Sequence, residues 1–340
     1  MSKSRDKNVD IYKGIAIMLV LVGHLYWNES IASLVYSFHL PLFFFVTGFF
    51  IDHSANKYTF GKYFISRVKN ILFPYIIALI AFLGLAISAK IKEQGISYVV
   101  FELVGIFMQS SSAALEASKY QIYYWFMPFF FLYTIILFLI YKYLKNYILI
   151  VYVVSIIMAF GIYFSHRIID YPSDQVPWAI DKLPFLIPLG ILGNSIWKRK
   201  ETLLKRRNVL LIITGLTLLA GLIYKIDLRI LFIKDIFIYF VLALNGSIFI
   251  ILLSDFLDKN LSDGNYSVKK LLVFLGENSM ILYLIHGIVY PIWHGKMGSP
   301  PGYSTIFNIT AIAMSIILTF VFKYFYAVIE YWWNRRFNLS

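Results

Sequence analysis

The chain of 340 residues is 60% hydrophobic and 19% aromatic, with only 14% charged residues, which is more apolar surface than one soluble core of this length can bury. It has no cysteine, so disulfides and thiol chemistry are excluded. The net charge of +13 sits in short Lys and Arg clusters between long apolar blocks, a pattern that speaks for orientation in a bilayer and against nucleic-acid binding.

In chain order, the apolar blocks describe an all-α integral membrane protein of about ten transmembrane helices in one bundle. The expected spans run near Ile11 to Trp27, Ser33 to Ile51, Ile71 to Ala89, Ile122 to Tyr141, Tyr147 to Ser165, Leu183 to Trp197, Val209 to Tyr224, Ile236 to Leu253, Ser279 to His294 and Thr305 to Ile329. Each has roughly the length that about 30 Å of hydrocarbon requires. An eleventh block, Ile96 to Met108, is interrupted by Glu102 and Gly105 and reads as an interfacial or re-entrant piece. Lys3, Arg5 and Lys7 resemble the basic region of a signal peptide, but no small-x-small cleavage site precedes Asn28 and Glu29, so the first segment is expected to stay as a span.

Charge tests the count. With a cytoplasmic N-terminus, the inside loops carry Lys57, Lys62, Arg67 and Lys69; Lys142 and Lys145; the Lys198 to Arg207 cluster; and Lys259, Lys269 and Lys270, with Arg335 and Arg336 closing the chain inside. The outside connections mix Lys90, Lys92 and Lys119 with Glu93, Glu102 and Glu116, and Arg167 and Lys182 with Asp170, Asp174 and Asp181. The basic excess alternates as orientation in a membrane demands, and both termini are expected to be cytoplasmic. No repeat or low-complexity tract divides the chain, so residues 1–340 read as a single membrane domain. The stretch Lys90 to Gln121 is either an outer lid or a plain loop.

The densest chemistry is in the first hairpin. Lys13 and His24 are eleven residues apart, close to three helical turns, so both leave one face of the first helix about 16 Å apart. Ionisable groups inside a membrane are expensive and need a reason. The turn near Ser30 places His39 of the second span at a depth similar to His24, and a bundle can bring the two rings together. An isolated histidine is ordinarily satisfied by a neighbouring carbonyl or hydroxyl; for His24, Lys13 and Asp10 on nearly the same face weigh against that plain role. A metal site lacks HExxH, Cys and a nearby carboxylate. A serine hydrolase lacks a G-x-S-x-G after a strand, and the chain has no strand pattern.

Several segments together resemble one family. Lys13 followed by Gly23-His24 is similar to the basic-x10-His signature of the acyltransferase family 3 membrane proteins. Ser37 to Phe44 (SFHLPLFF) with Thr47-Gly48-Phe49 resembles that family's second span, and Arg67 before Pro74-Tyr75 its third. Tyr124-Trp125-Phe126 and Gly276 to His286 (GENSMILYLIH) resemble two later elements. The wording is closest to fucose 4-O-acetylase-like and polysaccharide O-acetyltransferase members. Lys13 stands where Arg is common, and Asn70 where a second basic residue often precedes the proline; a lysine is a point charge, not a bidentate fork.

The resemblance implies an enzyme that moves an acyl group, usually acetyl from cytoplasmic acetyl-CoA, to a sugar hydroxyl of a cell-surface or lipid-linked glycan. It implies a multi-pass protein of the bacterial cytoplasmic membrane, embedded in lipid, using acetyl-CoA as co-substrate and no metal. Lys13, Arg67 and Lys69 then bind the polyanionic donor from the inside, Trp125 accompanies them, and His24, His39 and Asp10 carry the catalysis. His24 acts either as general base on the sugar hydroxyl or as an acyl carrier. Arg67 reads equally as a positive-inside anchor, Trp125 as part of an interfacial belt, and His286 as a bridge between helices or a member of the site. Asn278 and Ser279 are good helix caps, and His53, His166 and His294 lie at span ends. Succinyl transfer or N-acylation on the same scaffold is the nearest alternative; a glycan flippase or transporter would show recurrent mid-membrane charges or an inverted repeat, and neither is visible.

Overall fold

A computed structural model of the chain describes residues 6–25, 29–80, 125–169, 176–224, 226–228, 231–262, 264, 267–297 and 305–337. The Lys90 to Gln121 stretch, the block Ile96 to Met108, the third expected span beyond residue 80 and the side chain of His294 lie outside them. The elements are α1 (Lys7–Gly23), α2 (Glu29–Tyr36), α3 (His39–Gly48), α4 (Ile51–Lys57), α5 (Phe60–Arg67) continued by a π-turn (Val68–Leu72), α6 (Phe126–Tyr143), α7 (Ile148–Ile169), α8 (Leu183–Lys198), α9 (Arg207–Leu218), a hairpin of β1 (Ile226–Asp227) and β2 (Phe232–Ile233), α10 (Ile236–Asn260), α11 (Val268–Glu277), α12 (Ser279–Met297) and α13 (Thr305–Phe337).

The protein is an all-α membrane protein. Seven helical stretches are long and apolar enough to cross a bilayer, or eight if α11 and α12, which meet at 83°, form one span. Every expected apolar block is mainly helical where it is described, the second being broken at Ser37–Phe38 and at Phe49–Phe50. The first, in the 17-residue α1, and the seventh, in Arg207–Leu222, are shorter than those seven.

Four details depart from the sequence-based expectation. The third span begins at Phe60, not Ile71, so Lys62, Arg67 and Lys69 belong to a helix and not to a loop; Lys62 is exposed, its stem free to lie along apolar surface while its head reaches water. The Lys259 to Asn278 loop contains the amphipathic α11, which buries Lys269 and Leu275 and exposes Val268 and Leu271. Asp181 and Lys182 are both buried, joined Nζ to Oδ1 at 3.1 Å, because a buried ammonium requires a counter-charge. Finally, β1 and β2 pair antiparallel, Ile226 opposite Ile233; strands of two residues are too short to leave an alternating pattern.

Ion pairs gather the helix ends into two groups. Asp52 of α4 bonds Lys145 at 2.8 Å and Lys198 at 2.5 Å, while Lys142 donates to the carbonyls of Ala55 and Tyr58 at the end of α4. Lys200 reaches Asp6, the N-cap of α1, at 3.2 Å, so that end of the bundle holds the start of α1. At the opposite end of α7, Arg167 and Tyr163 donate to the carbonyl of Lys234 beside the hairpin, at 2.6 and 3.1 Å.

The core sits around α1, which packs against α2, α3, α10, α11 and α12. Glycines set the closest approaches. A Cβ at Gly14 would collide with the carbonyl of Leu272, and one at Gly276 with that of Asp10, so α1 and α11 touch backbone to backbone. Gly48 and Gly193 do the same for α3 and α8, where Asn194 donates to the Gly48 carbonyl at 2.9 Å. In contrast, α7 buries only Ser155, Ala159 and Tyr163 and leaves Leu149, Ile157 and Ile168 exposed, a surface that a hydrocarbon environment satisfies.

Candidate active site

The site begins at a helix break. A proline lacks the amide that would bond the carbonyl four residues back, and its ring collides with that carbonyl; Pro41 therefore forbids a continuous helix through Ser37. The backbone turns at Phe38 (φ −146°, ψ −11°), and α3 restarts with Pro41 in its first turn, where a missing amide costs nothing. His39 is left as the first residue of α3, within reach of the Val35 carbonyl at the end of α2, which also accepts from the Phe38 amide at 3.3 Å. The ring takes it: Nδ1 donates to the Val35 carbonyl at 2.9 Å.

A carbonyl only accepts, so Nδ1 of His39 carries the proton and Nε2 of the neutral ring carries the lone pair. Nε2 is buried and finds no hydrogen-bond partner among the described residues. His286, fully buried on α12, is fixed in the same way, its Nδ1 donating to the Tyr283 carbonyl.

His24 stands between them at the end of α1. Its ring centroid is 6.2 Å from His39 and 5.3 Å from His286, stacked on the latter. Its Nδ1 lies 3.3 Å from the hydroxyl of Tyr36, whose ring is 4.9 Å from His39. Tyr290 holds α12 against this end of α1 through the Leu21 carbonyl at 3.2 Å. Three imidazoles from three helices thus meet in one cluster, and His24 is half-buried where the other two are closed off.

Toward the Asp6 end of α1 lies a cavity of about 370 Å³ lined by Lys13, Thr47, Tyr63, Arg67, Glu277, Ser279 and Tyr283 among others. Arg67 lies over the Tyr63 ring at 4.9 Å, and its buried Nε has no hydrogen-bond partner among the described residues. Ser279 opens α12, so the positive end of a 19-residue helix faces the same space. Tyr283 ends the cavity: its ring packs on Phe126 at 5.0 Å and on His286 at 4.9 Å. One aromatic layer therefore separates the cationic cavity from the histidines.

The expected residues fall into two groups. His24 and His39 come together, joined by His286; Lys13 and Arg67 line one cavity. Lys69 lies in the π-turn beyond Arg67, outside the lining, and Trp125 packs on Phe126 and Phe129 behind the wall. Asp10 is 2% exposed at the α1–α11 crossing, fourteen residues and about 21 Å of helix from His24, so it does not touch the imidazole. Sequence reasoning missed Tyr36 and Tyr283. Tyr283 stood three residues before His286 on α12, the helical spacing that shares a face, whereas Tyr36 meets His39 only because the chain breaks between them. Among the described residues no group of three His, Cys, Asp or Glu is arranged to hold a metal ion.

Comparison with known proteins accords with this geometry. Two Nodulation protein NolL sequences, from Sinorhizobium fredii and Mesorhizobium japonicum, are each 29% identical to the chain over 84 residues, 22% of this chain. The match spans 23% and 22% of those relatives, so it says nothing of their remaining length. No solved structure matches the chain. The profile of acyltransferase family 3, described as an acyltransferase domain, matches residues 6–328. With nearly its whole length covered by that match, the chain belongs to the acyltransferase family 3 membrane proteins.

Proposed function

We propose that this membrane acyltransferase moves an acetyl group from cytoplasmic acetyl-CoA to a sugar hydroxyl of a cell-surface or lipid-linked glycan, within one domain of ten spans whose termini both face the cytoplasm of a bacterial cell. The observation that carries the reading is the placement of the histidine cluster directly beyond a cavity that presents Lys13 and Arg67. The helix ends expected inside, around Asp6, Asp52, Lys145, Lys198 and Lys200, share that cavity's end of α1, which supports a donor entering from the cytoplasm.

The residues suit a thioester donor. A cavity of about 370 Å³ is at the small end of ligand sites, so it takes the arm of coenzyme A and not the whole molecule. Arg67, with its unsatisfied Nε, and Lys13 offer charge-assisted donors to phosphate, and Asp10, one turn from Lys13 on α1, orients that ammonium rather than the imidazole. Lys69 and Trp125, outside the lining, contribute at the mouth and behind the wall. The wall at Tyr283 and Phe126 keeps water from the activated acetyl group until the acceptor is seated.

Chemically, the sugar oxygen attacks the thioester carbonyl carbon, the carbon–oxygen bond forms and the carbon–sulfur bond breaks. His24 takes the hydroxyl proton and returns it to the departing thiolate. His24 has this role because it is the accessible imidazole; His39 and His286, each fixed by a carbonyl, pack their rings against it and hold it in place. Surface glycans from cells with and without the gene, compared by mass, test the reading. A gain of one acetyl group per acceptor sugar supports it, and identical glycans overturn it.

A further inference from the structure

A second cleft, of about 320 Å³, opens on the far side of the histidine cluster, between α2 and the hairpin. Glu29, Ser33 and Tyr36 line it from α2, and Ile226, Asp227 and Phe232 from the hairpin. Its chemistry is the reverse of the donor cavity. Among the described lining residues the charged groups are carboxylates, which repel phosphate and accept hydrogen bonds from hydroxyls. Phe232 is half-exposed at the rim, offering a ring face to an apolar surface. Ser33 is 6% exposed, and its Oγ finds no hydrogen-bond partner among the described residues. A buried hydroxyl left unsatisfied is costly, and a ligand that supplies the missing bond recovers that cost. Tyr36 belongs both to this cleft and to the cluster, through its contact with His24.

We propose that this cleft seats the acceptor as a neutral pyranose ring, with Asp227 and Glu29 accepting from ring hydroxyls, Ser33 Oγ completing its hydrogen bonding on the sugar, and Phe232 covering one ring face. The inference rests on the acyltransferase reading and adds the acceptor's class and place. A ring held there has a hydroxyl edge toward Tyr36 and His24, while the acetyl group arrives from the opposite side past Tyr283. The two substrates therefore meet at the imidazole without sharing a wall.

The test uses full-length protein in nanodiscs, labelled acetyl-CoA, and the lipid-linked sugar fraction of the host membrane as acceptor. Asp227→Asn is expected to raise the KM for the acceptor fraction about tenfold, the low end of what one hydrogen bond to a charged group predicts, and Phe232→Leu about two- to tenfold, the worth of a lost aromatic contact, while the KM for acetyl-CoA stays within twofold. Phe232 is exposed, so its substitution tests the idea even where Asp227→Asn unfolds. Unchanged acceptor KM in a folded Phe232→Leu and in Asp227→Asn, with transfer intact, overturns the cleft and leaves the acyltransferase reading standing. No transfer by the parent protein overturns that reading, and the inference with it.

Discussion

Replacing His24 by glutamine separates catalysis from packing. Glutamine keeps a donor and an acceptor at similar reach, so it can still meet the Tyr36 hydroxyl, 3.3 Å from Nδ1 in the parent, and the α1–α12 contact survives. If that contact alone were lost, a neutral, half-buried hydrogen bond costs about 0.5–1.5 kcal/mol, or roughly two- to twelvefold in rate. What glutamine cannot do is take a proton, and a positioned general base contributes about 10²- to 10⁴-fold, equal to about 2.7–5.5 kcal/mol of barrier. The two ranges do not overlap. Purified protein matched for expression and thermal unfolding is assayed for acetyl transfer at saturating acetyl-CoA, with the KM for acetyl-CoA measured beside it. The expected result is a kcat at least a hundredfold lower with an unchanged KM. A fall of less than tenfold refutes the mechanism, and a full loss confined to His39→Gln moves the base to the buried Nε2 of His39.

At the donor end, Lys13→Ala should raise the KM for acetyl-CoA about ten- to a hundredfold, the worth of a hydrogen bond to a charged group, whereas Lys13→Arg keeps the charge and stays within a few-fold; equal KM values for the alanine variant and the parent remove Lys13 from the site. Gly276→Leu forces a side chain into the Asp10 carbonyl, and overpacking of this kind costs about 1–3 kcal/mol. A lower unfolding midpoint in detergent is expected, and an unchanged one shows that α1 and α11 are not in backbone contact. The absence of cysteine makes orientation easy to read: a cysteine at Ser173 should react with an impermeant maleimide in intact cells and one at Thr202 should not. Labelling only at Thr202 inverts the map.

Much of the bundle was legible because span length is a one-dimensional property. A run such as Ile236 to Leu253 must be a helix if it is in lipid, since nothing else satisfies its backbone, and it is. The pairing of His24 with His39 was legible for a related reason: a short turn fixes equal depth. Elements at the membrane surface were harder. Lys269 and Lys270 make α11 look like a loop, because half of its residues face away from the core. Pro41 announced the break at Phe38 through its missing amide, but a break inside an apolar run changes neither hydropathy nor length. The sequence left His286 open between a bridge and a member of the site, because its stacking on His24 depends on how α12 leans on α1, and no local pattern encodes that lean.

The seam between α1 and α11 also bears on how the protein is made. Gly14 leaves the ribosome long before the carbonyl it must meet, that of Leu272. At about 5–20 residues per second, the first helix waits on the order of ten to fifty seconds for its partner. During that interval Asp10 and Lys13 have no α11 to cover them, and charges of this kind do not rest in hydrocarbon. The newborn helix is therefore held with its charged turn at the headgroups, at a depth that only the later arrival of α11 makes permanent. Chains that stop before Glu277 then carry both histidines of the first hairpin but no floor beneath Lys13, and the order of synthesis delays any encounter with an acyl donor until the rest of the bundle stands.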